Sequence, residues 1–163
     1  MIFVTVGHQM PFDRLVRAVD KWAAAEGRSD VFAQIGNTDY RPSHIRYTAK
    51  IDPSDFRRYM AEADAVIAHA GMGTILTALE LGTPILVVPR LGRLMETRND
   101  HQVATAERFL ALGKVEVAMD ESDLPGALAR LTGKRRTPTI QAQASPQLLA
   151  CVRGFIQGSE RPK

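Results

Sequence analysis

Residues 63–74 read Ala63-Asp64-Ala65-Val66-Ile67-Ala68-His69-Ala70-Gly71-Met72-Gly73-Thr74. The unbroken apolar run from Ala65 to Ala68 has the pattern of a strand buried on both faces. It leads into a loop with two glycines, and helical spacing follows at Ile75, Leu76 and Leu79, which predicts a helix beginning near Thr74. A strand, a glycine loop and a helix form the junction of a parallel α/β sheet, and ligands bind such sheets at this carboxyl edge. Glycines let backbone approach a ligand closely, and the free N–H groups of a helix start favour an anion. From this loop alone, a diphosphate site and a merely tight turn are both open readings.

The same grammar repeats outward. Apolar runs predict further strands at Ile2 to Val6, Val31 to Ile35, His44 to Ile51, Ile85 to Val88 and Val115 to Val117. Helical spacing lies between them at Phe12, Leu15, Val16, Val19 and Trp22, and again at Val103, Ala106 and Leu110. Pro11 is expected just inside the first helix, Asp52-Pro53-Ser54-Asp55 to open a second, and Gly82 with Pro84 to close a third. The expected fold class is α/β, a doubly wound parallel sheet over residues 1–131. Residues 132–146 read as a linker. Leu148, Leu149, Val152, Phe155 and Ile156 then set an apolar stripe on a helix over 147–158. The stripe serves either to dock a partner or to pack on its own sheet, and Cys151 beside it reads as packing.

Composition narrows the class. A chain of 163 residues with 45% hydrophobic and 24% charged residues suits one folded domain. The single cysteine excludes an internal disulfide and a Cys-based zinc site, and the four histidines lack metal-ligand spacing. No metal is expected, and a reducing compartment fits. The chain begins directly on a strand pattern, so no export signal is expected, and no run approaches the roughly 20 apolar residues of a membrane span. A net charge of +3 without interleaved aromatics argues against nucleic acid. Lys134-Arg135-Arg136 reads as a solvated run, with contact to a membrane surface or an anionic partner as the alternative.

Two more loops are expected at the same sheet edge. Gly7-His8-Gln9-Met10-Pro11 joins the first strand to its helix, and a long loop from Pro89 to Arg98 ends in Asn99-Asp100-His101-Gln102. Taken in order, the 63–74 segment, Gly82-Thr83-Pro84, Val87-Val88-Pro89-Arg90 and Asn99-Asp100-His101-Gln102 resemble the C-terminal domain of the MurG-like glycosyltransferases. Phe3-Val4-Thr5-Val6-Gly7 and Pro11-Phe12-Asp13-Arg14-Leu15 resemble their separately encoded relatives, the PssE-type exopolysaccharide subunits. The catalytic subunit that adds the second N-acetylglucosamine to dolichol-linked precursors is similar too. The likeness covers roughly residues 1 to 131.

The resemblance implies the Rossmann-like donor half of a GT-B glycosyltransferase, taking a UDP-sugar as substrate with no cofactor. It implies that His69, Ala70, Gly71, Met72, Gly73 and Thr74 hold the diphosphate and sugar, that His101 and Gln102 meet the sugar hydroxyls, and that Gly7, His8 and Asp100 lie in the same site. It further implies a hexose or hexuronate transferred with inversion to a polyprenyl-diphosphate-linked saccharide. A membrane-anchored partner subunit would carry the acceptor at the cytoplasmic membrane face. A non-catalytic UDP-sugar-binding module and an epimerase-like protein are the alternatives.

Individual residues carry paired readings. His69 either bonds the ligand or caps its strand; His8 either serves as general base or belongs to the loop structure; His44 reads as structural. Arg90 and Arg93 either grip a diphosphate or acidic sugar through planar paired bonds or sit in a solvated loop with Glu96 and Arg98. Where many relatives carry a ribose-binding glutamate this chain has Thr77, which offers a hydroxyl and no carboxylate; Glu80, three residues on, either replaces it or is a solvated helix residue. Asp100 and Glu107 also read as helix-start and surface carboxylates. Glu62-Ala63-Asp64 is the nearest approach to a metal-binding Asp-x-Asp and precedes a buried strand.

Overall fold

The computed structural model describes residues 1–131, 133, 136, 140 and 146–156. Six strands, β1 (Ile2–Thr5), β2 (Val31–Gln34), β3 (Arg46–Thr48), β4 (Ala65–His69), β5 (Ile85–Val88) and β6 (Glu116–Val117), form one parallel sheet in the order β3-β2-β1-β4-β5-β6. Helices α1 (Asp13–Ala25), α2 (Pro53–Glu62), α3 (Met72–Leu81), α4 (His101–Ala111) and α5 (Leu124–Leu131) follow the strands, and α6 (Pro146–Ile156) comes last. The chain leaves β1 toward β2 in one direction and β4 toward β5 in the other. The crevice of this doubly wound Rossmann-like sheet therefore opens between the carboxyl ends of β1 and β4.

The central strand β1 shows why its run is apolar on both faces from Ile2 to Val4. Ile2 and Val4, with Val6 just beyond, pack with Leu15, Val16 and Val19 of α1 and Leu124 and Leu128 of α5. Phe3 points to the other face, toward Met60, Ile75, Leu79 and Ala106. Both layers need apolar cover, so successive residues must all be apolar. Burial of each large side chain contributes roughly 1.5–3 kcal/mol. Phe3 also stacks on Phe32 and Tyr59, with ring centroids 6.3 and 5.4 Å away.

Several boundaries differ from the sequence expectation. Pro11 lies outside α1, which starts at Asp13 with Phe12 at its N-cap. The α3 helix begins at Met72 rather than near Thr74, with Gly71 as N-cap, so Gly73 belongs to the first helical turn. The strand expected over His44 to Ile51 is the three-residue edge strand β3, whose Arg46 and Tyr47 face solvent. Leu76 and Leu110, placed on apolar faces by spacing, are exposed. Pro53 opens α2 as expected, and Gly82 closes α3 with a left-handed φ of 68° that favours glycine.

Most of the linker expected at 132–146 lies outside the described residues, including Lys134 and Arg135. Of its described members, Arg136 donates to the carbonyl of Ala63 and Ile140 packs against the α3 side of the core, so Arg136 is not merely solvated. Residues 147–156 of the expected C-terminal helix lie in α6, while 157 and 158 are not described. None of the α6 residues is buried; Phe155 and Ile156 are 76% and 75% exposed, and Cys151 is exposed rather than packed.

Candidate functional site

The three expected loops meet at the crevice. His69, at the end of β4, is wedged between two glycines. A Cβ on Gly7 would stand 2.8 Å from the imidazole Cε1, and one on Gly71 only 2.2 Å from Nε2. The absence of side chains at Gly7 and Gly71 thus makes room for this ring, and Gly7 also has a φ of +77°. Gly73 is different: among the described residues a Cβ there meets nothing within 4 Å. Of the glycines in this loop, it is the one that leaves open space at the start of α3.

His69 is held neutral. Burial, then the nearby Arg90 guanidinium and His8, push its pKa down to about 4, against an opposing hydrogen-bond contribution from the Thr5 backbone. Its Nδ1 is buried and, among the described residues, has no partner in hydrogen-bond geometry. Because the folded pKa lies below the unfolded one, the unfolded chain binds more protons between about pH 6.5 and 4. His69 therefore contributes stability that is present above pH 6.5 and fades as pH falls toward 4, by up to ~3 kcal/mol. Unfolding midpoints measured in denaturant from pH 7 to pH 4.5 are expected to fall more steeply in the wild type than in His69→Gln; parallel curves would contradict a buried neutral imidazole.

Arg90 follows β5 and is 4% exposed. Its Nη1 donates to the carbonyls of Pro11 and Glu96 at 3.0 and 3.2 Å, and its Nη2 to those of Val6 and Met10, both at 2.6 Å. With both Nη groups so engaged, Arg90 joins the β1 loop to the β5 loop in this conformation instead of reaching outward with a free fork. The long loop is fastened a second time. Arg14 of α1 donates through Nε and Nη2 to the two carboxylate oxygens of Glu96, at 2.8 and 2.9 Å, and through Nη1 to Glu121. Glu96 also accepts the Leu91 N–H. Glu96 is therefore a fastening rather than a solvated charge, whereas Arg93 and Arg98 are exposed.

A cleft of about 90 Å3 between these loops is lined by His8, His69, Arg90, His101 and Gln102, together with Val6, Gln9, Met10, Glu96 and Thr97. Five expected site residues are thus brought together. Gln102 is buried and its Oε1 accepts the Arg90 N–H at 3.2 Å; His101 is exposed at the start of α4, where its backbone and Nδ1 meet Asn99 Oδ1. Asp100 accepts the Gly92 N–H at 2.8 Å and so serves the loop. Met72 and Gly73 are exposed, Thr74 is 8% exposed, and Ala70 packs into the core. Thr77 turns its hydroxyl back to the Gly73 carbonyl at 2.8 Å. Glu80 pairs with Arg57 of α2 at 2.9 Å, so its carboxylate is already engaged.

Sequence reading missed a second polar layer. Thr5 donates its hydroxyl to Gln34 Oε1 at 2.8 Å, and Gln34 Nε2 donates to the carbonyls of Gly7 and Ala49, fixing the β1 loop from below. The signal available was a glutamine ending an otherwise apolar strand.

Residues 1–152 match the model of the glycosyltransferase family 28 C-terminal domain. The chain belongs to this family. Among its relatives, it is 30% identical over 107 residues to the UDP-N-acetylglucosamine transferase subunit ALG13 of Debaryomyces hansenii, a match covering 66% of this chain and 39% of that protein. It is 54% identical over 118 residues to the zeaxanthin glucosyltransferase of Pseudescherichia vulneris, covering 65% of this chain and 27% of that one. The crystal structure of Acinetobacter baumannii MurG superposes with a TM-score of 0.58 at 18% identity, over 96% of this chain and 49% of that one. The family 28 domain thus has the fold of the GT-B glycosyltransferases, and the chain spans less than half the length of each of these three proteins.

Proposed function

We propose that this family 28 domain binds the UDP-sugar donor of an inverting glycosyltransferase and works with a partner that carries the acceptor. One observation carries the reading: α3 starts open at Gly73, four residues after the neutral His69 that lines one cleft with the buried Arg90 cation, at the switch point of the sheet. Free N–H groups at a helix start suit a diphosphate, and the same groups stabilise the charge that UDP gains as the sugar leaves, without calling on a metal. His101 and Gln102 face the cleft where the sugar would sit. The names of the ALG13 relatives support UDP-N-acetylglucosamine chemistry in a subunit, and that of the carotenoid enzyme supports a glucosyl donor.

Transfer also needs a base that takes the acceptor hydroxyl proton. We take His8, which lines the cleft, as the candidate on this chain, with the partner as the alternative source. We assign the acceptor as a polyprenyl-diphosphate-linked saccharide used in exopolysaccharide synthesis, presented by a membrane-anchored partner, as in the resemblance to separately encoded subunits. Among the described residues no helix is long and apolar enough to cross a membrane. The exposed α6 stripe is the docking element. Removing residues 146–163 is expected to shift the melting temperature by less than about 2 °C while abolishing co-purification with the co-expressed partner. A large loss of stability would instead place the stripe on the domain's own core.

Thermal shift tests the donor. UDP-N-acetylglucosamine, UDP-glucose, UDP-galactose or UDP-glucuronate at 100 times its dissociation constant should stabilise the fold by about 2.7 kcal/mol, and no shift with any of them at millimolar concentration would refute the assignment. Transfer measured with and without the co-expressed partner then separates a catalytic subunit from a binding module.

A further inference from the structure

We propose that Arg90 is the positioning residue of the donor site: its guanidinium ties the β1 loop to the β5 loop and sets a buried cation behind His69. The proposal rests on the donor reading above and adds how the site is kept assembled. Four carbonyls, from Val6, Met10, Pro11 and Glu96, converge on the Nη1 and Nη2 groups. Three of them belong to the β1 loop and one to the β5 loop, so a single side chain holds segments more than 70 residues apart in sequence. The Phe12 ring lies 5.0 Å from the guanidinium carbon and closes the space beside it.

The charge is placed as deliberately as the bonds. The nearest carboxylate, on Glu96, is taken by Arg14 and by the Leu91 N–H, so among the described residues no carboxylate hydrogen-bonds Arg90. The Glu96 carboxylate acts on Arg90 through space without bonding it, so part of the cation's field remains, and beside burial that field favours a neutral His69 and an anionic ligand at the crevice. Lysine would keep the charge but cannot reproduce the planar fork that serves two pairs of carbonyls.

Two variants separate the parts. In Arg90→Lys, amide hydrogen exchange at Val6, Gly7 and Leu91, whose N–H groups are hydrogen-bonded beside the Arg90 contacts, is expected to rise at least about tenfold relative to Ile67 in β4, while the His69 titration followed by NMR stays near that of the wild type. In Arg90→Met the same amides open and the His69 titration moves up by roughly half a unit or more. UDP affinity, measured by calorimetry, should fall at least about tenfold in both. Unchanged exchange and UDP affinity in Arg90→Lys would overturn the proposal, as would an unchanged His69 titration in folded Arg90→Met. If Arg90→Met does not fold, Arg90→Lys decides by exchange and affinity. If the wild type itself binds no UDP, the donor reading fails and exchange with titration still decides whether Arg90 holds the loops.

Discussion

Gly73→Val is expected to weaken UDP-sugar binding at least about 100-fold while leaving the melting temperature within about 2 °C of wild type. The fold should tolerate the change because, among the described residues, a Cβ at this position meets nothing within 4 Å and the residue sits in an exposed helical turn. A β-branched side chain there would fill the space through which phosphate oxygens reach the free N–H groups of α3. Calorimetry with UDP beside a thermal melt checks both halves, and wild-type affinity in this variant would move the diphosphate elsewhere. Gly71→Ala makes the contrast. Its methyl would stand 2.2 Å from His69 Nε2, so the ring or the loop must shift. We expect a loss of about 1–3 kcal/mol in denaturant unfolding, the usual range for overpacking. A stable Gly71→Ala would mean that the imidazole yields freely.

Asp20→Ala is expected to lower the melting temperature by about 10 °C, the effect of losing ~3–5 kcal/mol in a chain of this size. Asp20 is 4% exposed, and its carboxylate accepts the N–H groups of Ser43, His44 and Ile45 and the hydroxyl of Tyr40. Alanine would leave all four donors without this acceptor. Burial alone would raise the Asp20 pKa, but the bonds from Ser43, His44 and Tyr40 outweigh it and hold the carboxyl below its ordinary value. Its contribution is therefore present above the unfolded carboxyl pKa and is lost as pH falls through the folded one. A drop of less than about 2 °C at neutral pH would show that the segment before β3 stands without this carboxylate.

Much of the fold was legible because periodicity reports burial. Phe3 against Ile2 and Val4 serves two layers, and that demand appears directly as an unbroken apolar run. Helix starts were less legible. Nothing in Gly-Met-Gly-Thr tells a loop glycine from a first-turn glycine, and α3 starts two residues before Thr74. The site was readable as a set of loops, since His8, His69, Arg90, His101 and Gln102 do line one cleft. What each polar atom does there was not. Arg90 reads in sequence either as a grip on a diphosphate or acidic sugar or as a cation on a solvated loop; its four carbonyl partners depend on how two distant loops fold over Phe12. Asp20 was discoverable in principle, because it stands four residues after Val16 on the buried stripe of α1, where a carboxylate requires donors from elsewhere.

The wedge of His69 between Gly7 and Gly71 also limits how this domain can be recombined. A chimera that takes its β1 loop from one parent and its β4 loop from another inherits the ring from one source and half of its slot from the other. A side chain at position 7 or 71 would drive a carbon into the imidazole, so a crossover between residues 7 and 69 should succeed when the parent supplying the β1 loop brings Gly7 and the parent supplying the β4 loop brings His69 with Gly71.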